Sequence, residues 1–569
     1  MTRRPLFWLA LSCHLLLSFG YLLRTPSFEG PDENAHYQYA WHLANARTLP
    51  VAPGHGAQQL DEAVLAHHPP LYYALLATAL TALGARDTVF STVPSEAFQQ
   101  QNHLRWQHGG DELPPRSPAQ RTLAWLRAVS LLLGLLSLVA VHRLGAIACP
   151  DRPLVADVAA LLVACLPMWS FLHAVLNSDA LAIALSTAVL VLLARTLTER
   201  ALPWRRALPL GALLGLAALT KLTTGFLGVL ALGTVAVTVA RDRRAALPGA
   251  VALLLAAAAT APVLWRNALL YGDPLAMGVH DAAFANIPAE YRWPWFWGGF
   301  LPQVCTSLFG TFGWFALPPH PALVAAGAAT VGLAGAGLAA HRLGAVRATW
   351  PQPLPLLLAA AALVFAGTAW FNLSSPQPQA RLLFPAIGPG AMLLAAGLVH
   401  LGTVARLGRA AWPLALVPPA VAAWVLFGWF APQFDAALAP ADAHHAALVD
   451  GIVVAPDAEA NGIEWRSPPP TAPLTAPPQL RWHDASAPPD ARYSLYAFDA
   501  AGRVWLASHE WFFPLAGSEA VLPDGAFSFL PTDRDVWLRL RRVPDWRAGE
   551  RLDAMPASAP RRVRRAAAH

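Results

Sequence analysis

Long apolar runs broken by short polar loops dominate the chain, and their spacing predicts helices rather than strands. The opening stretch, TRRPLFWLALSCHLLLSFGYLL, has a basic start and roughly 18 apolar residues, enough to cross a bilayer. It lacks a small-x-small cleavage site, so it reads as an uncleaved signal anchor whose arginines stay inside. Further spans are expected near 122–142, 154–175, 180–197, 208–222, 224–240, 247–266, 322–340, 353–371, 382–402 and 412–430, eleven in all. The segment 69–85 is read as interfacial, because a full crossing there would put ARTLTERALPWRR and ARDRRAA outside, against the positive-inside rule. For the same reason the apolar stretch 208–240 should divide into two helices around TKLTTG.

Beyond residue 430 the pattern changes. RSPPPTAPLTAPP is too proline-rich for helix or central strand, and RYSLYAFDAAGRVWLAS and DVWLRLRRV alternate as strands do. The expected organisation is a membrane domain over 1–430, a Pro-rich linker over 431–478, and a small β-sandwich-like domain with a basic tail over 479–569. An odd number of spans puts that last domain outside and the N-terminus in the cytoplasm.

Composition agrees: of 569 residues 56% are hydrophobic and 13% charged, against roughly 25% charged in soluble domains. The net charge of +6 comes from arginines scattered in short loops, which sets membrane orientation and makes a poor nucleic-acid face. Cys13, Cys149, Cys165 and Cys305 lack the spacing of a zinc site or a disulfide framework.

Charged residues next to apolar runs are the candidates for chemistry. Behind the first span, SFEGPDENAHYQYAWHLA places Asp32 and Glu33 after Pro31, where proline and first-turn acids suit a helix start. That explains the acids without any activity. At helical spacing Asp32, His36 and Tyr39 nonetheless share a polar face that could line a site. In AHHPPLYYALLA, His67 and His68 precede two prolines that hold the chain extended, in either an interfacial turn or a site wall. Lys221 is the sole lysine of the chain and lies in a long apolar stretch; it either snorkels to the surface or marks a site. Arg266 in LWRNALLYGDP and Arg381 in SSPQPQARLLFPAIGP fall at the outer ends of spans, as anchors or as members of a cationic ring on the Asp32 side. Such a ring suits a lipid-linked phosphate, and a neighbouring carboxylate suits a general base or, with a second displacement, a nucleophile. Asp32, Glu33, His36 and either His67 or His68 also have the ligand types for a divalent metal ion, without a spacing that specifies one. No P-loop, βαβ-linked GxGxxG or DxD pair offers a cradle for a soluble nucleotide donor.

The acidic pair, HxPPLYY, LNSDALAIAL, LTKLTTG, WRNALLYGDP, SLFGTFGW and ARLLFPAIGP occur in that order over about residues 1–430. The chain thereby resembles a bacterial family of multispanning membrane proteins related to the C-type (GT-C) glycosyltransferases, the superfamily that includes protein mannosyltransferases and lipid A aminoarabinose transferases. The resemblance implies an α-helical polytopic fold in the bacterial inner membrane and transfer of a sugar from a polyprenyl-phosphate carrier to a glycan, lipid or protein acceptor at the outer face. It also implies that Asp32 serves as base or acceptor-orienting group with Glu33 beside it, and that His68, Lys221, Arg266 and Arg381 bind the carrier phosphate; His36, on the polar face with Asp32, is the further substrate-binding candidate. Leu382 and Leu383 depart from the aromatic that relatives often carry after the arginine, and the β domain lies outside the common core. Two other readings use the same residues: a transporter or flippase of lipid-linked sugars, and a non-catalytic scaffold binding cell-envelope glycans.

Overall fold

The computed structural model describes residues 5–52, 65–86, 88, 118–283, 287, 289–314, 317–344, 350–408, 413–435, 456–468, 473–489, 491–500, 504–507, 515–522, 530, 534–542 and 555–566. The helices used below are α1 (Pro5–Arg24), α2 (Glu33–Ala46), α3 (Leu71–Ala82), α4 (Pro118–Ala148), α5 (Pro153–Ala164), α6 (Pro167–Leu172), α7 (Asp179–Glu199), α8 (Trp204–Ala218), α9 (Phe226–Arg241), α10 (Ala246–Tyr271), α11 (Met277–Ala283), α12 (Pro321–Arg342), α13 (Leu354–Asn372) and α14 (Ile387–Val404). Among the described residues nine helical segments are long and apolar enough to cross a membrane, against the expected eleven. The difference has local causes. The expected span 154–175 breaks at Cys165–Leu166, where Pro167 opens the short α6 without an amide hydrogen to continue the ladder. The expected span 208–222 is the 15-residue α8, about 22 Å long, shorter as a continuous helix than a hydrocarbon core of about 30 Å. At 12 residues α3 is shorter still.

The stretch 208–240 does divide at TKLTTG. Lys221 is extended (φ −160°, ψ 134°), followed by a 3-10 turn over Leu222–Gly225 that leads into α9. Where helices cross closely, small residues make the contact, because lipid tails supply no hydrophobic drive and close backbone approach must hold the bundle. Gly145 meets Ala156, Gly211 meets Ala252, and Gly337 of α12 lies against Gly397 of α14. A Cβ at Gly337 would fall 1.8 Å from the Gly397 carbonyl oxygen, whereas one at Gly335 would meet nothing within 4 Å. Gly337→Ala is therefore expected to destabilise the bundle by about 1–3 kcal/mol through overpacking. Gly335→Ala, on the same helix, should leave the unfolding midpoint in detergent unchanged.

Among the described residues the C-terminal part forms ten strands: β1 (Gly462–Ser467), β2 (Pro473–Leu474), β3 (Gln479–Asp484), β4 (Arg492–Phe498), β5 (Val504–Ala507), β6 (Leu515–Ala516), β7 (Glu519–Val521), β8 (Val536–Arg542), β9 (Ala557–Ser558) and β10 (Arg561–Arg565). The main path runs β2-β10-β8-β9-β1-β3-β7, with β4 pairing β5, β6 and β8. The antiparallel β4–β8 register sets Leu495 opposite Leu540 and Ala497 opposite Leu538, all buried. β1 and β2 lie within residues 431–478, the stretch expected to be a linker, and the basic tail supplies β10. The expected pair of strands in RYSLYAFDAAGRVWLAS is β4 and β5, paired antiparallel; the glycine of the intervening turn lies outside the described residues.

Candidate active site

The site lies where one loop and the ends of several helices meet. Asp32 does not enter α2: it stands at the N-cap in the left-handed region (φ 60°, ψ 12°) and makes no side-chain cap hydrogen bond. Its carboxylate instead accepts a hydrogen bond from Arg381 Nη2 at 2.9 Å. Arg381, in the 3-10 segment before α14, also donates from Nη1 to Asp179 Oδ2 at 3.2 Å and from Nε to Gln379. Lys221 Nζ reaches the other Asp179 oxygen at 2.5 Å. Two carboxylates and two cations, drawn from four distant parts of the chain, thus form one linked group. The Asp32 side chain is 37% exposed and that of Asp179 is 2% exposed, so Asp32 is the carboxylate open to an incoming group.

This group borders a cavity of about 430 Å³. Leu222, Phe226, Leu363, Val364, Gly367 and Phe371 make its apolar wall, and Asp32, His36, His67, His68, Lys221, His280 and Arg381 its polar one. Behind the polar wall the buried Tyr73 hydroxyl lies between two imidazoles, 3.1 Å from His36 Nδ1 and 2.9 Å from His68 Nδ1. Tyr39 stacks on the Tyr73 ring with centroids 3.8 Å apart and fixes it in place. One hydroxyl proton cannot serve both nitrogens, so at most one imidazole accepts from Tyr73 and at least one donates to it.

Burial pushes the Asp32 carboxyl up, but the charge and hydrogen bond of Arg381 and the charge of Lys221 outweigh it and hold Asp32 below the usual carboxylate range. Burial drives His36 down to about 3, with Asp32 opposing it. His280 is also lowered by burial.

The remaining expected site residues lie elsewhere. Glu33 is fully buried and turned away from the cavity. Its two oxygens accept from Arg127 Nε at 2.8 Å and Nη2 at 2.6 Å, and Oε1 also accepts from the Leu176 amide at 2.9 Å. Arg266 does not line the cavity; it donates to the Pro50 carbonyl at 2.6 Å and holds the loop that follows α2. The expected cationic ring therefore gathers Lys221, Arg381 and His68 without Arg266. The metal-ligand set does not assemble either. Glu33 faces Arg127, Asp32 faces Arg381, and among the described residues no group of three or more His, Cys, Asp and Glu is placed to hold an ion.

Asp179, Tyr73 and Arg127 were not expected at the site or in its support. Asp179 had a readable signal, an acid at the mouth of a long apolar run in LNSDALAIAL, the same kind of outlier as Lys221.

Residues 120–265, which include Arg127, Asp179 and Lys221, match the family model of the dolichyl-phosphate-mannose-protein mannosyltransferases. Among solved structures, an oligosaccharyltransferase from Archaeoglobus fulgidus, tethered with an acceptor peptide containing the NVT sequon, is 16% identical over 79% of this chain, with a TM-score of 0.41. This chain covers 58% of that protein's length. ArnT from Cupriavidus metallidurans, bound to undecaprenyl phosphate, is 16% identical with a TM-score of 0.39, covering 80% of this chain and 82% of its own. The Pmt1-Pmt2 protein O-mannosyltransferase complex of S. cerevisiae, bound to the sugar donor, has a TM-score of 0.30 at 16% identity, over 55% of this chain and 37% of that one. No curated protein sequence matches the chain. The match falls within the superfamily expected from the order of the motifs: residues 120–265 of this chain, whose described residues hold nine helical segments long and apolar enough to cross a membrane, match the family model of the dolichyl-phosphate-mannose-protein mannosyltransferases.

Proposed function

We propose that the protein transfers a sugar from a polyprenyl-phosphate carrier to an acceptor hydroxyl at the outer face of the bacterial inner membrane, with Asp32 as general base. The observation that carries this reading is the linkage of Asp32, Arg381, Asp179 and Lys221 beside one cavity, which Asp32, Lys221 and Arg381 line together with many apolar side chains. The prenyl chain lies along those apolar side chains and the carrier phosphate faces Lys221 and Arg381. The acceptor oxygen attacks the anomeric carbon and gives its proton to Asp32 as the bond from that carbon to the phosphate oxygen breaks. The electron pair leaves with the phosphate, and the two cations stabilise the charge that gathers there. A single displacement inverts the anomeric centre.

Sidedness is supported by α7, which carries Asp179 at its start and Arg200 just past its end; 21 residues separate the site from the basic loop by about 30 Å, one hydrocarbon thickness. With the broken α5–α6 and the short α8 each carrying the chain across, as in the expected eleven crossings, the N-terminus is cytoplasmic and the sheet domain extracytoplasmic.

The test is a labelled polyprenyl-phosphate sugar presented to the purified protein in proteoliposomes with candidate acceptors. Label leaving the lipid for an acceptor supports transfer; label that crosses the bilayer still attached to its carrier supports a flippase. Asp32 acts as base only when ionised and its pKa is depressed, so activity is lost as pH falls through that depressed value. The acid limb of kcat/KM should accordingly lie below the usual carboxylate range.

A further inference from the structure

The charges around the cavity balance before any donor arrives. Lys221 and Arg381 are each already paired with Asp179, and Arg381 with Asp32 as well, so two cations face two carboxylates. A sugar phosphodiester brings one further negative charge into a half-enclosed, partly apolar space. An uncompensated charge there is costly. Arg266 is tied to the Pro50 carbonyl away from the cavity, so the other basic groups lining it are the imidazoles of His36, His67, His68 and His280.

Among these His68 is the suited one. It is half-buried, whereas the other three are buried, so it stands closest to solvent as a source of protons. Its Nδ1 is engaged with Tyr73, and its Nε2 makes no hydrogen bond among the described residues. A proton on Nε2 leaves the chain His68 Nδ1–H to Tyr73 to His36 Nδ1 intact, since Tyr73 accepts from His68 and donates to His36. We propose, resting on the transferase reading, that donor binding is coupled to uptake of one proton by His68, which becomes the third cation of the phosphate site. Without donor, burial and then the neighbours His67, Lys221, His36 and His280 hold His68 neutral, well below its usual range. The phosphate reverses that balance, while Asp32 and Arg381, which also line the cavity, keep their mutual pairing.

The sign follows from linkage. Binding is favoured below the donor-bound pKa of His68 and weakens as pH rises through it, by up to about tenfold per pH unit. The probe is a short-chain prenyl methyl phosphodiester, whose own charge stays at −1 across the range, titrated into the detergent-purified full chain between pH 6 and 9. Calorimetry in buffers of differing ionisation enthalpy counts the protons taken up. Wild type is expected to lose affinity with rising pH and to take up about one proton per probe near neutrality. His68→Lys should bind with a flat pH profile, and His68→Gln weakly and also flat. Wild-type binding without pH dependence or proton uptake overturns the coupling alone, as does His68→Gln keeping the wild-type slope. Arg266→Gln weakening binding equally at every pH, beside a flat wild type, would assign the third charge to Arg266 instead. Absence of probe binding at any pH overturns the donor-site reading, and this proposal with it.

Discussion

Asp32→Asn should lower sugar transfer by about 10²–10⁴-fold, the usual contribution of a positioned general base, with little change in the unfolding midpoint. The amide keeps the shape of the carboxylate and can still accept from Arg381, but it cannot take a proton. Arg381 retains its second partner, Asp179, at 3.2 Å, so no buried cation is left unpaired. Asparagine is also among the few residues that tolerate the left-handed backbone found at this position. Release of labelled sugar from a polyprenyl-phosphate donor, measured beside thermal unfolding, separates the two effects. Transfer at the wild-type rate would remove Asp32 from the mechanism.

Glu33→Ala, one residue along, should act in the opposite way. It leaves Arg127 buried with only the Thr25 and Pro26 carbonyls and no counter-charge, and it strips the Leu176 amide of its acceptor. Breaking a buried pair from one side costs about 3–5 kcal/mol, so folded yield in membranes and the unfolding temperature should both fall. Adding Arg127→Met to Glu33→Ala should recover much of that loss, because no unpaired charge remains. A Glu33→Ala protein that folds normally and loses transfer alone would return Glu33 to the chemistry. Adjacent acids thus take different tasks, one open to the cavity and one fastening α2 to α4.

The contrast explains what could be read ahead of the structure. Lys221 and Arg381 stand out because an ionised group beside an apolar run is too costly to be incidental, and both meet at the site. Arg266 satisfied the same criterion, yet the pattern reports only which side of the membrane a residue lies on. The direction of its side chain is set by the carbonyls of the loop at residues 49–50. Asp179 escaped notice because an acid in the first turn of a helix has an ordinary reading as a partner of the dipole. Tyr73 escaped because tyrosines at membrane interfaces are common. The helical domain and the C-terminal strands were legible from periodicity alone. The number of spans was not, since hydropathy sums apolar residues but does not register the break at Pro167 or the short length of α8.

The left-handed turn at Asp32 limits which side chains the position can carry. Lengthening the acid by one methylene in Asp32→Glu would strain a backbone angle that suits glycine, asparagine and aspartate, and would drive the carboxylate against the arginine it now meets at 2.9 Å. In a library sampling all twenty residues at codon 32, stability should be highest for those three short types, by about 1–2 kcal/mol, and only the natural one should turn over substrate.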